Sequence, residues 1–268
     1  MLEKWVPRLH LVEFEDLPWF PSLIRRYMQD FLHFMSQLTD MPLRTFAIRL
    51  RWAMQASGQT TIVDLCSGSG GPVEGLVRLM DKQERYPVSA LLTDLYPNVE
   101  AMKRREKANP AIRAITQPVN AMDVPVELKG FRLMCNSFHH FDPESAKKVL
   151  GDAVAKNQGI AVIEFVSRSV FGLVQVVFGV MILMFFLTPF VRPFSFGRLF
   201  FTYVIPLVPI FSLWDGVASC FRVYSPDEME VLIQKYRDTN FRWELGYLLV
   251  GKGPASVRYL IGFPQKKS

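Results

Sequence analysis

Cysteine is scarce in this chain: Cys66, Cys135 and Cys220 stand far apart, and no two form a CxxC pair. That spacing argues against a zinc site and a disulfide framework, and for a reducing compartment. The opening stretch, MLEKWVPRLHLVEFEDLPWF, is charged throughout and lacks the apolar core of a secretory leader. A cytoplasmic-side location is therefore expected. Lys and Arg do not cluster among aromatics, so no nucleic acid is expected as a partner. Charge is missing altogether from FGLVQVVFGVMILMFFLTPFV, Phe171–Val191, which is long enough to cross a bilayer yet lies mid-chain.

Elsewhere charge is plentiful. The formal net charge is +6 and half of the 268 residues are hydrophobic. Basic residues that accompany apolar surface suit anionic lipid headgroups. The length fits one large α/β domain with an insertion, or two small domains.

PSLIRRYMQDFLHFMSQL, Pro21–Leu38, has Ile24, Met28, Phe31, Met35 and Leu38 at helical spacing, with Pro21 at the permitted first turn. LRTFAIRLRWAMQA, Leu43–Ala56, reads as a second helix; its Arg44, Arg49 and Arg51 form either a solvated face or one turned to anionic lipid. From Thr60 short apolar runs alternate with helical segments: TTIVDLC, VSALLTDL, AIRAITQ, FRLMCNSF and GIAVIEFV as strands, with VEGLVRLMDKQ, NVEAMKRREKA and PESAKKVLGDAVAKN as helices. Such alternation implies crossovers and a parallel sheet with both faces covered. SPDEMEVLIQKY opens with a capping box, Ser225 and Glu228. RWELGYLLV and VRYLIGFP, around the turn composition GKGPAS, read as an antiparallel hairpin.

The chemistry-bearing stretch is IVDLCSGSGG, Ile62–Gly71: an acid ending a strand, a loop of small residues, then a helix. Small residues let backbone approach a ligand closely, and the helix start offers unpaired N–H groups. Asp64 would repel a pyrophosphate but can accept hydrogen bonds from an amine. The dinucleotide fingerprint fails, because Val73 stands where its third glycine belongs. Asp94 ends the next strand, where a doubly wound sheet offers a carboxylate to ribose hydroxyls.

These stretches resemble the class I S-adenosylmethionine-dependent methyltransferase family. VDLCSGSGG looks like its first motif, with Cys66 in place of the first glycine and Ser67, Gly68, Ser69 and Gly70 continuing the loop. LLTDLYPN looks like the second, with Asp94 as the ribose acid and Leu95 beside it. NAMDVP resembles the third, which would set Asp123 at the adenine amine and Val124 at its ring. CNSFHHF resembles the segment after the fourth strand, with Asn136 beside the cofactor. The resemblance covers Thr60 to about Phe165 and Ser225–Pro264. It implies S-adenosyl-L-methionine as cofactor and a seventh, antiparallel strand.

Methyl transfer from a sulfonium needs positioning and exclusion of water more than a protein nucleophile or a metal, and no metal is expected. A general base is needed only for an acidic acceptor such as a hydroxyl. His139 and His140, at the carboxyl end of the fourth strand, are its candidates, and packed histidines are the alternative. Glu164, ending the fifth strand, faces the same crevice on the switch-point argument and is assigned a substrate-side role. For an acceptor pocket, EDLPWFP offers Trp19, and WDGVASCFRVYS offers Arg222 and Tyr224; loop packing and an Asp215–Arg222 charge pair are the alternative.

The apolar insertion leaves and rejoins the sheet domain, so both its ends belong on one side of a membrane. Phe171–Val191 would span about 30 Å as a helix. Leu199–Trp214, broken by Pro206 and Pro209, would reach about 24 Å. Two true spans would carry Arg192 and Arg198 across, at about 2.5–3.5 kcal/mol for each arginine lodged at mid-bilayer. A monotopic or re-entrant hairpin costs less; a protein-buried lid or a dimer interface is the third arrangement.

The expected fold is α/β: a Rossmann-like, seven-stranded, mostly parallel sheet with a terminal antiparallel hairpin, N-terminal helices and an apolar helical insertion. Expected divisions are a helical cap over 1–58, the sheet domain over 59–168 and 215–268, and the hairpin over 169–214. The expected function is methyl transfer to a small hydrophobic or lipid-resident acceptor at the membrane surface. A catalytically inactive membrane scaffold of the same fold and a nicotinamide-dependent oxidoreductase are the alternatives.

Overall fold

The computed structural model describes residues 6–38, 40–250 and 256–265. Among them the chain forms two compact units. One takes the chain up to Leu38 and again from Val166 to Val223; the other takes the stretch between and everything from Tyr224 onward.

The larger unit holds the sheet. Its strands are β1 (Thr61–Asp64), β2 (Ser89–Leu92), β3 (Ile112–Ala114), β4 (Phe131–Cys135), β5 (Ile160–Glu164), β6 (Phe241–Leu249) and β7 (Ser256–Pro264), in the order β3-β2-β1-β4-β5-β7-β6. The first five run parallel, and β7 pairs antiparallel with both β5 and β6. The antiparallel strand beside β5 departs from the 3-2-1-4-5-6 order of a dinucleotide-binding sheet.

Consecutive strand residues go to opposite layers, which is why the runs look apolar throughout. Ile62, Leu133, Ala161 and Ile261 share one core with α2 (Met41–Ser57) and α3 (Gly71–Lys82). Val63, Met134, Val162 and Leu260 share the other with α5 (Pro143–Ala155) and α9 (Pro226–Ile233). The helix α4 (Val99–Ala108) follows β2, and Asn98 caps it by accepting from the Ala101 N–H. The capping box is present: Ser225 accepts from the Glu228 N–H at 3.2 Å, and Glu228 accepts from the Ser225 N–H at 2.8 Å. The turn proposed at GKGPAS lies at 251–256, of which 251–255 fall outside the described residues; its flanking strands pair Leu249 with Ser256.

The smaller unit is helical: α1 (Ser22–Leu38), α6 (Val170–Leu187), α7 (Phe196–Tyr203) and α8 (Leu207–Arg222). Phe20, Ile24, Met28 and Phe31 pack with Met184, Val191 and Val208. Met35 is partly buried, while Leu38 in the last turn is exposed.

These divisions differ from those drawn at 58/59, 168/169 and 214/215. Helix α2 sits with the sheet, packed on α3 and β7, whereas α1 sits with the inserted helices. An amphipathic pattern reveals that a helix has a buried face but not what covers it. Two of the three α2 arginines pair within the sheet unit: Arg49 with Glu244, and Arg51 with Glu84 at 3.0 Å.

Candidate active site

The connection that returns from the β3 edge to β4 makes a topological switch between β1 and β4, and ligands of open α/β sheets bind outside the strand ends at such a point. The segment from Asp64 to Gly70 leaves β1 there. Cys66, Gly68 and Gly70 all have left-handed backbone, with φ of 58°, 53° and 79°. Glycine accepts that conformation without cost, whereas Cys66 carries a Cβ into it.

The end of β2 holds this loop. Thr93 donates its hydroxyl to the Asp64 carbonyl at 2.9 Å and its N–H to Ser67 Oγ at 3.1 Å. Asp94 Oδ2 accepts the Gly68 N–H at 2.8 Å and Oδ1 accepts the Tyr96 N–H at 2.8 Å. A carboxylate has about four acceptor positions, so Asp94 keeps capacity toward ribose hydroxyls. Leu95 beside it is 43 % exposed, an apolar surface suited to a base. Ser69 is buried, and Asn98 donates to its hydroxyl at 3.4 Å.

Asp64 is buried at the tip of β1, and burial pushes its carboxyl up to about 7; the Asp94 charge adds to the rise and the Ser67 hydrogen bond opposes it. A buried acid raised in this way is stabilised as a carboxylate by an incoming cation, which the ammonium of an amino-acid moiety would supply. The loop, the half-exposed Leu95 and the two acids thus suit S-adenosylmethionine. The thiol of the partly buried Cys135 nearby is pushed well up, mostly by desolvation and then by the Asp64 and Glu164 charges.

After β4, Asn136 also has left-handed backbone, φ 53°, which asparagine tolerates better than most residues. Its Oδ1 accepts the Phe165 N–H at 3.1 Å, so it ties the ends of β4 and β5 together. The next turn, Phe138–His140, carries the histidine pair, whose rings stack at 4.5 Å. Glu164 reaches His139 twice: Oε1 accepts its N–H at 3.0 Å, and Oε2 lies 2.7 Å from Nδ1. Both residues are buried. The carboxylate fixes the ring and favours the tautomer with a proton on Nδ1, leaving Nε2 as the basic nitrogen. Glu164 therefore contacts the base candidate rather than standing apart from it.

The third motif follows β3 and returns to the tip of β2. Val119 donates its N–H to the Asp94 carbonyl at 2.8 Å, which puts the segment around Asn120 beside the β2 tip. Asp123 is turned to solvent and bonds Lys156 at 2.8 Å, and the positive charge and hydrogen bond of Lys156 lower its carboxyl. Val124 is buried in the core beneath α5. Thr93, inside the second motif but not singled out there, is the residue that fastens the loop to the β2 tip.

Of the acceptor-pocket candidates, Tyr224 belongs to the sheet unit: it is buried against Phe138 and donates its hydroxyl to the Phe141 carbonyl at 2.8 Å. Trp19 and Arg222 belong to the helical unit. Trp19 is 69 % exposed and meets Phe14 edge-on. Arg222 is buried, with Nη1 2.7 Å from Asp16, 3.4 Å from Glu13 and 3.2 Å from the Leu11 carbonyl. Asp215 accepts the N–H groups of Phe14 and Glu15 at 2.7 and 3.1 Å. The alternative Asp215–Arg222 pair is not formed; two helical turns separate the residues by about 10 Å.

No family model and no curated protein sequence matches the chain. Among solved structures it is similar to the plantazolicin methyltransferase BpumL in complex with SAH, with 11 % identity and a TM-score of 0.53 over 91 % of this chain and 96 % of that one. It is similar also to the CurJ carbon methyltransferase, at 9 % identity and a TM-score of 0.50 over 86 % and 55 %. The mitomycin 7-O-methyltransferase MmcR is 18 % identical at a TM-score of 0.46, over 82 % and 53 %. The chain spans about half the length of the latter two. Sheet order, loop and likeness agree: the chain has the fold of the class I S-adenosylmethionine-dependent methyltransferases.

Proposed function

We propose that the chain is an S-adenosylmethionine-dependent methyltransferase acting on an ionisable group of a hydrophobic, lipid-resident acceptor at a membrane surface. The observation that carries the chemical half is the pair of hydrogen bonds from His139, backbone N–H and ring Nδ1, to the Glu164 carboxylate, which orients the imidazole at the end of β4. The bound cofactor supplies an activated methyl on a sulfonium, released as the neutral thioether. Asp64 and Asp94 hold the donor; His139 Nε2 accepts the proton that leaves the acceptor as its oxygen or nitrogen bonds to the methyl carbon. The SAH bound in BpumL supports the choice of cofactor.

The lipid half rests on Val170–Phe190, a helix long and apolar enough to cross a membrane and only 11 % buried. Incubation with methyl-labelled donor and a membrane extract tests the whole reading. Label in an extractable lipophilic product is the expected result. Cofactor binding without any labelled product would favour the inactive scaffold.

A further inference from the structure

Of the residues in α6, only Gly172 and Met184 are buried. A helix that is apolar all round requires apolar surroundings on every side. Helix α8 covers one flank so closely that a Cβ on Gly216 would meet Val176 at 2.7 Å. Much of the rest is open, and the chain past α6 stays apolar and aromatic. Phe190, Phe194 and Phe196 are 63 %, 47 % and 81 % exposed, around an exposed Arg192. Aromatic rings with a cation at their edge suit the boundary between hydrocarbon and headgroups.

The same turn is fastened to α1. Arg198 is buried and donates to the carbonyls of Val191 at 2.7 Å and Pro193 at 2.6 Å, and to Asp30 in the middle of α1 at 3.1 Å. Carrying the turn through to the far side of a bilayer would draw α1 along, with its exposed Arg26 and its half-buried Arg25 and Gln29. The returning limb is no straight span either: α7 and α8 meet at 72°. Both limbs of the insertion join the sheet unit, so its two ends share one side.

We propose that this helical unit is a monotopic anchor: α6 and the Phe190–Phe196 tip embed in one leaflet of an anionic phospholipid bilayer, with Arg192 at the headgroups and no segment crossing. This deepens the lipid half of the proposed function and rests on it only for the location of the acceptor.

The test uses the full chain with a fluorophore on Phe194→Cys and vesicles of phosphatidylcholine and phosphatidylglycerol. Quenching by lipid-borne nitroxides, with none from an impermeant quencher sealed in the lumen, is expected. The double variant Phe194→Ser/Phe196→Ser should partition at least severalfold more weakly, with unchanged circular dichroism. Lumenal quenching would overturn the proposal in favour of two spans. Failure to sediment with vesicles, accompanied by self-association, would overturn it in favour of an interface between copies. S-adenosylmethionine titration of the same samples separates the two readings: binding retained without vesicle association removes only the anchor, and the converse removes only the enzyme.

Discussion

Asp94 and Gly68 are joined by a 2.8 Å hydrogen bond from the glycine N–H to the carboxylate, 26 residues apart in sequence. The acid expected to take the ribose therefore also sets the shape of the loop expected to take the amino-acid end. Loop and acid are one construction.

Asp94→Ala should weaken S-adenosylmethionine binding by about 1–3 kcal/mol through lost charge-assisted hydrogen bonds. Asp94→Asn, which keeps one oxygen for Gly68, should fall between. Unchanged affinity in both variants, measured by calorimetry, would remove Asp94 from the site.

The Asp64 carboxyl, raised to about 7, gives opposite pH trends for folding and binding. The folded state holds the proton more tightly than the unfolded chain. Its contribution to stability is thus complete below about pH 4 and is lost as pH rises through about 7. Affinity for the cationic amine should increase over the same upper window as the carboxylate forms. Asp64→Asn should flatten both profiles in paired denaturation and binding series.

Cys66 sits in left-handed backbone at φ 58°. Cys66→Gly should stabilise the protein by up to about 1 kcal/mol, since the relief of about 1–2 kcal/mol exceeds the added freedom of the unfolded chain. Cys66→Val, β-branched, should destabilise it. Urea midpoints of the two variants must move in opposite directions.

Arg132 is buried in β4 and bonds Asp152 of α5 at 2.5 Å, while Lys156 bonds the same acid at 2.6 Å. Asp152→Ala would strand a buried guanidinium and should cost about 3–5 kcal/mol. Asp123→Ala, at the exposed end of the network, should leave the urea midpoint nearly unchanged.

His139→Ala should lower kcat by roughly 10²–10⁴-fold with cofactor affinity preserved. Glu164→Gln, which keeps only one acceptor oxygen, should lower kcat less than His139→Ala does, again with cofactor affinity preserved. A kcat equal to that of the parent in both variants would assign the pair to packing.

The strands, the capping box and the small-residue loop were legible because their determinants are local: short continuous apolar runs, a Ser and Glu three apart, glycines at left-handed positions. The rest depends on neighbours brought close by the sheet. Glu164 meets His139 only because β4 and β5 are adjacent, and Asp123 turns away because Lys156 lies 33 residues on. The division of α1 from α2 has the same origin: each pattern marks a buried face, and the sheet or the insertion supplies its cover.

The most direct measurement is a calorimetric titration of the purified chain with S-adenosylhomocysteine, parent against Asp94→Ala. One saturable site in the parent, weakened in the variant, is the expected result. A parent that takes up no ligand, while nuclear magnetic resonance shows it folded, would contradict the assignment of the β1–β4 crevice as a methyl-donor site.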